Sequence, residues 1–196
     1  MKQKVDKLSA EKLLIIVDMV NGFINFGALS DGGIAKIIPE NVRLAEKFLK
    51  EGGPVVAFRD CHTADSPELD SFPAHCMRGT EEAELVNELK ALQEKFIVID
   101  KDSTSGFFAP GFADIVGKMR NLKEVVITGC CTDICVLNLA VPMKNFFNQL
   151  QKKVNIVVPK NAVETYNISA VHERTEWNNM AFRFMEQAGV KVVQSY

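Results

Sequence analysis

The sequence predicts a doubly wound α/β fold, a parallel sheet with helices on both faces in three layers. Short β-branched apolar runs alternate with helix-length stretches along the chain. Several of these runs are continuously apolar rather than alternating, as strands buried on both faces require. Polar residues able to carry chemistry follow several of the runs, and in such folds ligands bind beyond the carboxyl ends of the strands.

Leu13–Val17 is the first such run and ends at Asp18. Pro39–Glu51 carries Val42, Leu44, Ala45, Phe48 and Leu49 at helical spacing, and Gly52-Gly53 stops it. Val55–Phe58 is the second strand. Glu81–Leu92 reads as a helix with Leu85, Val86 and Leu89 inward. Phe96–Ile99 is a strand, Phe112–Arg120 a helix, Glu124–Thr128 a strand. A helix begins near Thr132 and is expected to kink or break at Ala140–Val141, because Pro142 inside a helix costs about 3 kcal/mol. Lys144–Lys153 is then a second helical piece, with Phe146 and Phe147 packing on the domain or on a partner. Val154–Val158, a helix over Ala170–Ala188 and Val190–Val193 complete the order. No repeat or linker divides the chain, so residues 1–196 are expected to form one domain.

The composition narrows the function. Hydrophobic residues make up 47% and charged residues 24%, the balance of an ordinary globular protein. A net charge of −2 without basic blocks gives no reason to expect nucleic acid or a membrane as partner. No apolar run reaches membrane-spanning length. Met1–Lys7 is polar and lysine-rich, and Leu13–Val17 is too short for a signal-peptide core. With an odd count of five cysteines, this leads to an expectation of reduced thiols in the cytoplasm. Cys61 and Cys76 read as small packing residues. Cys131 and Cys135 have the spacing of a zinc half-site, but no second pair supplies further ligands.

Two of the three histidines sit in the polar segment Arg59–Gly79. The pattern is Asp60-x-His62, then Glu68, then Pro73-Ala74-His75. Residues two apart on an extended chain point to one side, so Asp60 and His62 can reach one ion. The mixed N/O set Asp60, His62, Glu68 and His75 suits a divalent transition metal, zinc first and manganese or iron next.

Thr132-Asp133-Ile134-Cys135 reads as a helix start capped by Thr132. Cys135 then sits in the first turn, where backbone N–H groups and the helix dipole favour a thiolate and a developing oxyanion. Asp18 and Lys101 follow predicted strands and supply a proton acceptor and a cation. Taken singly, Cys135 reads equally well as a buried structural thiol, Asp18 as a turn former beside Asn21-Gly22, and Lys101 as a surface lysine. Together they favour nucleophilic catalysis. Phe23, Phe72 and Phe107 lie close to these residues in sequence. They are candidates for an aromatic cage around a flat substrate, with core packing as the competing role. His172 falls on the predicted last helix and is expected at the surface or an interface; Tyr166 and Trp177 carry no assignment.

The segments Val17-Asp18-Met19-Val20-Asn21-Gly22-Phe23, Lys101-Asp102-Ser103-Thr104-Ser105-Gly106-Phe107 and Gly129-Cys130-Cys131-Thr132-Asp133-Ile134-Cys135-Val136 resemble the isochorismatase-like cysteine hydrolases, over nearly the whole chain. The resemblance implies an Asp18–Lys101–Cys135 triad and a cis peptide between Cys130 and Cys131. It implies an oxyanion hole from the N–H groups of Cys131 and Cys135. Within that family, Asp60, His62 and His75, with Phe72-Pro73-Ala74-His75-Cys76, are similar to the metal segment of nicotinamidases, where Phe72 replaces Trp. Glu68 stands where some of these place a fourth ligand, and Gly22 where many members have Asp. The implied activity is hydrolysis of nicotinamide through a thioester, a step of NAD salvage, by a homo-oligomer. The alternatives are a related amidase acting on another amide or a ureido or carbamoyl compound, and a non-catalytic metal-binding or thiol-redox module.

Overall fold

The computed structural model describes residues 9–196; Met1–Lys7, noted above for its polarity, lies outside them. Seven strands form one parallel sheet: β1 (Lys12–Val17), β2 (Val55–Asp60), β3 (Ile97–Lys101), β4 (Glu124–Cys130), β5 (Asn155–Pro159), β6 (Val163–Glu164) and β7 (Lys191–Val193). The spatial order is β3-β2-β1-β4-β5-β7, with the two-residue β6 beside the end of β4. The chain therefore reverses direction across the sheet between β1 and β4, and a crevice opens there at the strand ends.

The helices are α1 (Asn21–Ile24), α2 (Ile38–Lys50), α3 (Asn87–Lys90), α4 (Phe112–Lys118), α5 (Leu137–Gln149) and α6 (Arg174–Gln187). Successive side chains of β1 enter opposite layers. Leu13, Ile15 and Val17 pack with Phe112, Val116, Leu139, Met143, Phe147 and Met185, under α4, α5 and α6. Leu14 and Ile16 pack with Ile24, Leu44, Ala45, Phe48 and Leu89, under α1, α2 and α3. Burial of both faces is the physical reason for the unbroken apolar runs. In α2, Pro39 enters in the first turn, and Gly52 in the left-handed region (φ 76°) ends the stretch.

Two predicted helices differ. Glu81–Leu92 is a short 3₁₀ turn, Glu81–Ala83, followed by an extended stretch and then α3. Its backbone is drawn to the loop after β1: Asn21 N–H donates to Glu84 O at 2.9 Å and Val86 N–H to Met19 O at 3.0 Å. Leu85, Val86 and Leu89 are nonetheless buried, as their spacing predicts. The predicted Ala170–Ala188 helix starts only at Arg174, where Glu173 caps it through a bond from the Glu176 N–H.

Pro142 does not break its helix, and no separate Lys144–Lys153 piece exists; α5 runs through to Gln149. A proline removes the N–H that would bond the carbonyl four residues earlier, here Asn138. The Ser105 hydroxyl donates to that carbonyl at 2.6 Å. The loop after β3 thus supplies what Pro142 withholds. Phe147 is fully buried and Phe146 meets Phe107 edge to face, so both pack on this chain. Among the described residues no helix is long and apolar enough to cross a membrane.

Candidate active site

The parallel register assembles the site. Val17 pairs with Phe58 on one side and Gly129 on the other, and Asp60 pairs with Lys101. Asp18, one residue past Val17, therefore lands between the ends of β2 and β4. The approach at Gly129 is close: a Cβ there would sit 2.0 Å from Val17 O, and φ is 107°. Only glycine fits both demands. Asp18 itself has φ 50°, a strained value for a residue with a Cβ.

Lys101 is the hub. Its Nζ lies 2.8 Å from Asp18 Oδ2, 2.7 Å from Asp60 Oδ1 and 3.8 Å from Cys135 Sγ, and all four side chains are buried. Burial works against the lysine's charge, but Asp18, Cys135 and Asp60 outweigh it and raise its pKa well above the ordinary value. Burial raises Asp18 to about 6, with Lys101 opposing. Neither Asp18 oxygen has a well-aligned hydrogen-bond donor among the described residues. Burial also pushes the Cys135 thiol well above its usual range despite Lys101. Burial thus favours the Cys135 thiol over the thiolate that a helix start alone predicts.

The turn carrying Cys135 differs from the prediction in form. Thr132–Val136 is a π-helical turn leading into α5; Thr132 does not cap it, and its buried hydroxyl has no hydrogen-bond partner among the described residues. Single π turns recur at functional sites because they re-aim side chains within a helix. The Cys130–Cys131 peptide is cis, as the resemblance implies.

Beside the triad, Asp60, His62, Glu68 and His75 bring one ligand atom each to within 4.8 Å of one another. Nε2 of His62 and of His75 both lie 3.0 Å from Asp60 Oδ2. Their other nitrogens are engaged: His62 Nδ1 is 2.6 Å from Asp102 Oδ1, and His75 Nδ1 is 2.8 Å from the Pro73 carbonyl. Such outer partners orient both rings so that Nε2 faces the Asp60 side of the candidate ion position. Asp60 divides its work likewise, Oδ1 to Lys101 and Oδ2 to the histidines. Burial alone would raise Asp60, but Lys101, His62 and His75 together hold it far below the carboxylate range. The residues present fit a divalent metal.

A cavity of about 660 Å³ opens over both corners. Asp60, Glu68, His75, Cys131 and Cys135 line it, with Phe23 and Phe72 against the ring of His75 (centroids 5.6 and 6.2 Å). Phe107 does not join them, a correction to the expected cage. It packs instead on Phe108, Phe112 and Phe146, because the 3₁₀ turn Gly106–Phe108 sends it toward the α4–α5 layer. Gly22, the departure beside Phe23, is required by space: a Cβ there would lie 2.6 Å from Cys76 Sγ. Cys61 and Cys76 are buried packing residues, and all five cysteines are free.

Residues 12–195 match the family model described as Isochorismatase domain. The chain belongs to the isochorismatase family. This isochorismatase-family hydrolase is 34% identical over 172 residues to Nicotinamidase 1 of Arabidopsis thaliana, covering 79% of this chain and 70% of the relative. Its fold matches the crystal structure of nicotinamidase PncA from Bacillus subtilis with a TM-score of 0.79 and 31% identity, over 94% of this chain and 99% of that one. The pyrazinamidase of Pyrococcus horikoshii, solved in complex with zinc, matches with a TM-score of 0.75 and 30% identity, over 94% and 99%.

Two groups that sequence reasoning missed complete the hydrolase site. Asp102 holds His62 and accepts from Ser66 at 2.5 Å; its only signal was its place next to Lys101. Tyr166 lines the cavity, after the short β6 that no periodicity announced. His172 also departs from expectation. It precedes α6, is buried, and bonds Asp133.

Proposed function

We propose that this chain is a metal-dependent cysteine amidase that hydrolyses nicotinamide to nicotinate and ammonia. The observation that carries the reading is the position of Lys101, which joins an Asp–Cys pair to a four-residue candidate metal set, with Asp60, Glu68, His75 and Cys135 lining one cavity. Asp60, His62, Glu68 and His75 would hold the ion, zinc in the first instance, and manganese or iron suit the same mixed ligands. The bound ion would supply a Lewis-acid anchor for the pyridine nitrogen.

The protein's own groups do the rest. Phe23 and Phe72 flank the flat ring and exclude water from its faces. The carboxamide carbon then lies over Cys135. As the Sγ–C bond forms, the thiol proton passes to Asp18, which is unprotonated above about pH 6. The N–H groups of Cys131 and Cys135 receive the developing oxyanion. Asp18 returns the proton to the leaving nitrogen as the C–N bond breaks, and ammonia departs from a thioester. Water, deprotonated by the same Asp18, then attacks the thioester carbon; as the C–S bond breaks Asp18 returns that proton to the sulfur, and the acid formed loses its own proton to solvent and leaves as nicotinate. Lys101 keeps its charge throughout and holds Asp18 in place.

The test is ammonia release from nicotinamide by the purified, metal-loaded protein, repeated after chelation and with Cys135→Ala. Release that stops on chelation, returns with metal and is absent in the variant supports the reading. Release that survives chelation moves the chain to the metal-independent amidases acting on ureido or carbamoyl compounds. Full turnover by the alanine variant sinks the thioester scheme.

A further inference from the structure

Tyr166, His172 and Trp177 form one stack. The imidazole of His172 lies between the phenol of Tyr166 (centroids 3.8 Å, interplanar 11°) and the indole of Trp177 (4.4 Å, 17°). His172 is 4% exposed. Its Nε2 is 2.8 Å from Asp133 Oδ2, and its Nδ1 is 3.1 Å from the Tyr166 carbonyl. The other oxygen of Asp133 accepts from the Thr165 hydroxyl at 2.5 Å. Paired backbone bonds between Ile168 and His172, 2.9 and 2.8 Å, close the intervening loop and tie the ring to it.

Asp133 lies in the π turn between Cys131 and Cys135. Tyr166 lines the cavity two residues after β6, and Thr165 stands between β6 and Tyr166. The Asp133–His172–Thr165 contacts therefore bridge two walls that backbone pairing alone joins only at Gly129–Val163 and Cys130–Glu164. One wall bears the nucleophile, the other an aromatic ring that lines the cavity. A carboxylate two residues before the nucleophile, satisfied from both oxygens by the other wall, restricts how the turn can rotate.

We propose that His172 is a positioning residue. Through Asp133 it holds the turn that aims Cys135, and through its stack it holds Tyr166 as the specificity-determining wall against which the substrate ring packs. This rests on the amidase reading and deepens it. Neither His172 nor Asp133 needs to touch the substrate.

The experiment compares wild type with His172→Leu, His172→Asn and Tyr166→Leu in the metal-loaded protein. Folding is checked by far-UV circular dichroism and urea unfolding, because Trp177 touches the replaced ring and its emission would change with the substitution itself. Tyr166→Leu is expected to raise KM for nicotinamide about fivefold with kcat within about twofold. His172→Leu loses both roles, and kcat falls about tenfold or more while KM rises. His172→Asn keeps a donor for Asp133 but no full stack, so it recovers most of kcat and little of KM. A readout independent of turnover is the alkylation of Cys135 by iodoacetamide, followed by peptide mass mapping. It slows about threefold or more in His172→Leu and recovers in His172→Asn. A wild type inactive on nicotinamide defeats the amidase reading, and the alkylation rates still decide the positioning role. Unchanged alkylation together with unchanged kcat and KM, per folded molecule, overturns the proposal. If His172→Leu does not fold, Asp133→Asn takes its place with the same two outcomes.

Discussion

Asp18 and Asp60 flank one lysine at nearly equal distances, 2.8 and 2.7 Å, and both are buried. Their acidities nevertheless move in opposite directions. Asp18 rises to about 6 and Asp60 falls far below the carboxylate range. The ion pair with Lys101 is common to both, so it cannot be the cause. Asp60 also receives His62 and His75, whereas Asp18 bears the cost of full burial and faces the Asp60 charge, with Lys101 and Cys135 opposing only in part. One carboxylate is thereby fixed as an anion suited to a cation, and the other is poised to exchange a proton near neutrality. Environments that separate two acids in this way assign their chemical roles.

The sharpest way to break the contrast is to remove what the two acids share. Lys101→Met leaves two buried carboxylates without a counterion, and breaking a buried pair costs about 3–5 kcal/mol. Urea unfolding is expected to show a loss of that order, with amide turnover gone; a loss under about 1 kcal/mol would show that Lys101 is not the hub.

Next in size is the effect on the metal corner alone. Asp102→Asn keeps the shape but weakens the acceptor that orients His62, and changes of this kind cost about 10–100-fold in metal affinity. Competition with a chromophoric chelator measures it. The acid limb of kcat/KM, set by Asp18, is expected to be unmoved, which separates the corners.

The pH dependence tests the thiol corner. With Asp18 as the proposed proton acceptor, kcat/KM is expected to fall as pH drops through about 6, about tenfold per unit below it. Its share of stability runs the other way. A folded pKa raised above the ordinary 3.8 stabilises the fold below that value and is lost as pH rises through about 6. Asp18→Asn should abolish that stability trend together with turnover. Asp60 has the opposite sign: its share is present above the ordinary value and lost on acidification.

The smallest effect concerns the frame behind both corners. Ser105→Ala strips the Asn138 carbonyl of the donor that compensates for Pro142, at about 1 kcal/mol in thermal or urea unfolding. A neutral result would mean that water takes the place of the hydroxyl.

Much of the candidate site was legible because its residues lie at or just past strand ends, and strand ends are marked by unbroken apolar runs. Asp18, Asp60, Lys101 and Cys135 came from that rule, and His62 and His75 from two short motifs beside acids. Phe107 was misplaced because nearness in sequence to Lys101 does not say which layer a 3₁₀ turn faces. His172 was misplaced because the spacing of α6 extends smoothly into residues that in fact form a closed loop. The break in Glu81–Leu92 has no local cause; it follows from pairing with the loop after β1.

The order of the longer strands, the burial of both sheet faces and the choice of candidate reactive groups were determined by the sequence, because periodicity and residue chemistry are local properties. The tertiary structure decided the separation of two equally buried acids, the continuity of α5 through Pro142 and the joining of the cavity walls by Asp133 and His172. Each depends on a donor or ring contributed from a distant segment, and no local pattern records what a folded chain brings within 3 Å of a given atom.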